Sequence, residues 1–131
     1  MIYLIDAITN ASSKPFIPFV YNRDTSDFRI KELSGTCTSS TCNFSISFKD
    51  NVYHSQAGIN GEKVISNFPK PATEITFIGT HTNATYPYAV FKISTDGYLV
   101  EYGNTNADNT DMQDWFAVGD VVISDITYTL A

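Results

Sequence analysis

Hydrophobic and polar positions alternate along most of this chain. Asn43-Phe44-Ser45-Ile46-Ser47-Phe48-Lys49 alternates without a break, which puts Phe44, Ile46 and Phe48 on one face of a strand. Ile75 and Phe77 repeat the pattern, and Ile126, Tyr128 and Leu130 close the chain with another alternating strand. Turn signals fall between these runs at Lys49-Asp50-Asn51, Ile59-Asn60-Gly61, Pro69 to Pro71, Asp96-Gly97 and Val118-Gly119-Asp120. Short strands at that spacing predict an all-β sandwich or barrel.

The segment YAVFKISTDGYLVEYGN reads as a hairpin with a two-residue loop, because Asp-Gly tolerates the φ > 0 that both loop positions require. That loop sets Ile93 opposite Val100, Lys92 opposite Glu101 and Phe91 opposite Tyr102. Phe91, Ile93, Val100 and Tyr102 then share an apolar face, and Lys92 meets Glu101 as an ion pair on the other. An antiparallel sheet with one wet face follows. At the proline corner, Pro69 ends a strand finishing at Phe68, and Pro71 holds Lys70 extended.

Residues 1–34 are less regular and read as an N-terminal strand or connector ahead of a single β domain over 35–131. Ile2–Ile5 is a candidate strand, and the proline-broken run from Lys14 to Val20 suits an edge strand or extended connector. Residues 103–114, GNTNADNTDMQD, form a polar loop before Trp115.

Composition narrows the function classes. The 131 residues suit one domain, and 43% hydrophobic against 17% charged excludes a disordered chain. Net charge is −6 and the eight Lys and Arg are scattered, so neither nucleic acid nor an anionic membrane surface is an expected partner. No run approaches the length of a membrane span, so membrane insertion is not expected. The N-terminal MIYLIDAITNASS lacks the basic start of a secretion signal. Cys37 and Cys42 either close a small loop or remain free thiols, and with His54 alone nearby they do not complete a zinc site.

Candidate chemistry gathers at the loops. Asp108, Asp111 and Asp114, among Asn104, Asn106 and Asn109, offer oxygen ligands, yet the spacing misses the EF-hand pattern, and a solvated acidic loop is expected. Acid–base hydrolysis needs two positioned carboxylates, and with Glu101 paired to Lys92 nothing marks such a pair. His54 and His81 lie in polar, turn-like contexts and read as surface histidines. Tyr86, Tyr88 and Trp115 stand beside polar segments, HTNATYPY and NTDMQDWF. An aromatic ring stacks on the C–H face of a sugar while neighbouring polar groups take its hydroxyls. Saccharide-binding candidates are therefore Trp115, Tyr86 and Tyr88 with His81, Asn104 and Asp111; the competing reading is that Trp115 plugs a barrel end and the tyrosines are core or rim residues. No cofactor is expected.

The ordered set NFSISF, EKVISNF, PKP, EITFIG, the hairpin and VVISDITYTL resembles the C-terminal head domains of tailed-bacteriophage receptor-binding and minor tail proteins. The matching positions are Phe68, Pro69, Lys70 and Pro71; Phe77, Ile78 and Gly79; Ile93, Asp96, Gly97 and Leu99; and Ile126 with Tyr128, within residues 35–131. The resemblance implies a jelly-roll-like β-sandwich or barrel assembled as a homotrimer at the virion tail tip. Its partners would be a bacterial cell-surface saccharide and other tail or baseplate proteins, and its role adhesion without catalysis. A purely structural trimerisation domain and a polysaccharide hydrolase are the competing functions.

Overall fold

The alternating run at Asn43–Lys49 forms the middle of a long strand, and its apolar side chains are the barrel's deepest layer. The computed structural model describes residues 16–131. Its elements are β1 (Phe19–Val20), β2 (Phe28–Cys37), β3 (Thr41–Asp50), α1 (Ala57–Asn60), β4 (Glu62–Ser66), β5 (Ile75–His81), β6 (Tyr88–Ile93), β7 (Leu99–Thr105) and β8 (Gly119–Thr129). The candidate strand at Ile2–Ile5, with Lys14 and Pro15, lies outside the described residues.

The strands make one antiparallel sheet in the order β1-β4-β7-β6-β5-β8-β3-β2, nearly closed into a barrel. All-β architecture holds, in its barrel form. Phe44, Ile46 and Phe48 of β3 all point inward and are buried. Phe28, Phe91 and Phe116 complete the largest fully buried group, with Phe28 stacked on Phe48 at 4.8 Å and Phe91 edge-on to Phe48 at 6.0 Å. Burial of each such ring stabilises the fold by about 1.5–3 kcal/mol. Strand β2 crosses residue 34, and with Phe28 in the core, residues 28–34 belong to the barrel wall. Cys37 and Cys42 face each other at the end of the β2–β3 hairpin and are joined as a disulfide.

The β6–β7 hairpin forms where expected but in a different register. Gly97 alone in its loop adopts positive φ, at 87°, while Asp96 keeps ordinary geometry. Gly97 N–H donates to the Ser94 carbonyl at 2.9 Å and Ser94 N–H to the Tyr98 carbonyl at 3.0 Å. The loop is therefore Thr95-Asp96-Gly97, three residues long, a turn closed by a glycine bulge. Ile93 faces Leu99, Lys92 faces Val100 and Phe91 faces Glu101. Because side chains alternate with period two, this one-residue slip turns Glu101 into the barrel and Val100 and Tyr102 to the other face. The expected Lys92–Glu101 ion pair does not exist: Lys92 instead meets Glu74 at 3.2 Å and lies 4.9 Å from the Tyr102 ring centroid.

Three turn assignments also shift. Strand β4 stops at Ser66, not Phe68; Asn67 turns the chain at φ 67°, and Phe68 drops into the core. The corner is then tied down, with the Tyr128 hydroxyl donating to the Pro69 carbonyl at 2.8 Å and Ala131 N–H to the Lys70 carbonyl at 3.0 Å. Gly119 and Asp120 open β8 rather than forming a turn, and Asp50 is the buried last residue of β3.

Candidate functional site

Beyond β3 the chain makes a two-residue antiparallel bridge, His54 with Phe116. His54 N–H donates to the Phe116 carbonyl at 3.0 Å, and Phe116 N–H to the His54 carbonyl at 2.9 Å. Extended backbone sends neighbouring side chains to opposite faces. His54 and Phe116 therefore point into the barrel, and Tyr53 and Trp115 point out.

The outer face is an aromatic cluster. The half-buried Trp115 ring stacks on Tyr53 at 6.4 Å with an interplanar angle of 24°, and meets Tyr86 edge-on at 5.6 Å. Tyr53 stays 55% exposed, which leaves an open ring face beside the indole. The Asp111 charge next to Tyr86 pushes the phenol pKa up, and the Gln113 side-chain amide donates to Asp111 at 3.1 Å. Aromatic faces flanked by a carboxylate and an amide thus share one exposed surface.

The loop carrying Trp115 is positioned by small and buried residues. A Cβ on Gly58 or Gly103 would collide with the Gln113 carbonyl, so both glycines let the loop lie close over α1 and β7. Asn104, fully buried, staples the arrangement. Its Oδ1 accepts the Ala117 N–H at 2.8 Å, its Nδ2 donates to the Tyr86 carbonyl at 3.1 Å, and its N–H donates to the Trp115 carbonyl at 3.0 Å. His81 is buried too, not a surface histidine. Its Nδ1 accepts the Asn83 N–H at 2.9 Å, which assigns the proton to Nε2, the donor to the Ala117 carbonyl at 3.0 Å. Burial holds the imidazole pKa below its usual value.

Of the six predicted residues, Trp115, Tyr86 and Asp111 come together. Asn104 and His81 sit behind them with their polar atoms engaged by backbone. Tyr88 lies apart, on a shallow cavity of about 330 Å³ with Ile78, Thr80 and Val122. In the acidic loop, Asn106 Oδ1 accepts the N–H groups of Thr110 at 2.9 Å and Asp111 at 3.1 Å, and Asp108 accepts the Thr110 hydroxyl at 2.8 Å.

The inner face of the bridge holds a buried polar cluster. Glu101 and Asp50 are completely buried, and the His54 side chain is 15% exposed. Arg23 Nη2 donates to His54 Nε2 at 2.8 Å, and Nη1 lies 3.4 Å from Asp50 Oδ1. Its outer contact is Glu62, at 3.6 Å. Desolvation, followed by the hydrogen bond and charge of Asp50, raises the Glu101 pKa well above that of an ordinary carboxyl. Desolvation, then the Arg23 charge, lowers the His54 pKa and keeps its ring neutral.

Sequence reasoning missed Tyr53 on the outer face and all of Arg23, Asp50, His54 and Glu101 on the inner one. The one available signal was the Val52-Tyr53-His54 alternation, which puts the tyrosine and histidine on opposite faces. Set against protein-family models, curated proteins and solved structures, the chain matches none.

Proposed function

We propose that this protein is a non-enzymatic adhesion module that binds a bacterial cell-surface saccharide, as a homotrimeric tip domain of a phage tail. The observation that supports this reading most is the exposed Tyr53–Trp115–Tyr86 cluster with Asp111 and Gln113 at its edge. Rings that are half open and rigidly held present apolar area at low entropic cost, and the flanking carboxylate and amide suit sugar hydroxyls. Self-association has a candidate surface in Ile78, Tyr88 and Val122 on the outside of the sheet, where Val122 is 48% exposed. Binding to other tail or baseplate proteins belongs to the same reading.

Trp115 is the only tryptophan in the chain, so its fluorescence reports occupancy of the cluster directly. Titration with purified bacterial surface polysaccharides is expected to shift the emission saturably, and Trp115→Ala to weaken retention on the same polysaccharide by more than about 1 kcal/mol. Retention unchanged in Trp115→Ala and in Tyr53→Ala would remove the cluster from the function. Light scattering that gives a monomer at all concentrations would overturn the trimer, and release of oligosaccharide from the polysaccharide would replace adhesion with hydrolysis.

A further inference from the structure

The inner face of the His54–Phe116 bridge places three acceptor atoms around one point. His54 Nε2 lies 3.6 Å from Asp50 Oδ2 and 3.7 Å from Glu101 Oε2, and the three lie within 4.8 Å of one another. Asp50 Oδ1 is engaged by the Val52 N–H at 3.0 Å and by Arg23. Asp50 Oδ2 and both Glu101 oxygens, by contrast, receive no donor from the described residues although both residues are fully buried. Buried acceptors without donors are costly, and a positively charged centre between them removes the cost.

We propose that Asp50 Oδ2, His54 Nε2 and Glu101 Oε2 form a binding site for a divalent transition-metal ion of the zinc class. One imidazole nitrogen with two carboxylate oxygens suits such an ion better than calcium or magnesium, which favour all-oxygen shells. Bonds of about 2.0–2.2 Å in a tetrahedral arrangement space the ligand atoms about 3.3–3.6 Å apart, so the two separations from His54 Nε2 need contract by at most a few tenths of an ångström.

Arg23 is the competitor for this position, since its guanidinium already occupies the His54 Nε2 lone pair. Glu62, 3.6 Å from the guanidinium and 46% exposed at its side chain, is where the arginine goes when the ion enters. A cavity of about 280 Å³ between the Tyr53–Gln56 turn, α1 and Glu62 reaches His54 from outside and supplies the entry path. A water takes the remaining coordination position.

The test uses the whole chain, stripped with a chelator and dialysed, then titrated with Zn²⁺ by calorimetry and with Co²⁺ by visible absorption. One equivalent is expected, with ligand-field bands of tetrahedral cobalt. His54→Gln and Glu101→Gln should each weaken binding by at least about tenfold. Arg23→Met should tighten it; no tightening would overturn the role given to that residue. The chain has two histidines, and His81→Gln, whose ring nitrogens bond the Ala117 carbonyl and the Asn83 N–H and not the cluster, should weaken binding far less than His54→Gln. Circular dichroism verifies that each variant is folded; if Glu101→Gln is not, His54→Gln alone decides. Absence of binding up to about 1 mM, or binding that survives His54→Gln, overturns the proposal.

Discussion

Replacing Asn104 with alanine removes a side chain that serves two separate pieces of backbone. The Ala117 N–H loses its acceptor at 2.8 Å and the Tyr86 carbonyl loses its donor at 3.1 Å, both next to a fully buried residue. Each orphaned buried group costs about 1–3 kcal/mol, and entry of one water into the vacated volume recovers part of that. A net loss of about 2–4 kcal/mol is expected. In urea, with a slope of about 1–3 kcal/mol per molar, the midpoint should fall by about 1–2 M. Unfolding followed by Trp115 emission and by far-ultraviolet circular dichroism measures it, and the native emission should also move red as the indole loosens. Gln113→Ala is the control. Among the described residues its side-chain amide hydrogen-bonds only to the exposed Asp111, so it should cost less than about 0.5 kcal/mol. A loss below about 1 kcal/mol for Asn104→Ala, or one equal to the control, would refute the staple.

Gly97→Ala should destabilise by more than about 1 kcal/mol in thermal unfolding, because φ is 87° and a Cβ would stand 2.6 Å from the Phe68 carbonyl oxygen. An unchanged melting temperature would contradict the glycine bulge. The double variant Cys37→Ala/Cys42→Ala closes no loop in the unfolded chain and should lose about 2 kcal/mol in denaturant while keeping its strand dichroism. Buried His81 has a folded pKa below its unfolded value of about 6.5. Its contribution is therefore fully present above about pH 6.5 and is lost as pH falls from there through the folded pKa. His81→Gln should flatten that part of the stability–pH curve; the same slope in both proteins would show that the ring does not titrate on unfolding.

Strand β3 was legible because its signal is local: an uninterrupted alternation needs nothing beyond the pleat to assign Phe44, Ile46 and Phe48 to the core. The β6–β7 hairpin was legible in place but not in register. Asp-Gly is compatible with two loops that differ by one residue, and the choice rests on Asp96 φ, held by the Ser94 hydroxyl bonding Asp96 and the Tyr98 N–H bonding Ser94 Oγ at 3.2 Å. That single residue hid the inner cluster, since Glu101 reads as a surface partner of Lys92 in one register and as a buried carboxyl in the other. Asp50 was hidden for a related reason, a turn signal that the strand overrode. On the outer face, loop aromatics beside polar residues marked Trp115, Tyr86 and Asp111. Tyr53 was not marked, because its partner lies across a bridge between segments distant in sequence. Asn104 stood out as a polar loop residue, but it lies in β7, and only the folded strand shows its amide facing inward.

The barrel wall at the His54–Phe116 bridge is one peptide thick, with interior chemistry on one side and the exposed aromatic surface on the other. Sequence variation at such a place is felt on both sides. A substitution at position 54 or 116 that changes how the interior packs will tilt the same two peptide units that carry Tyr53 and Trp115. The exposed rings can thereby be re-aimed without altering any residue that a ligand touches, so diversity in what this surface recognises can originate inside the barrel.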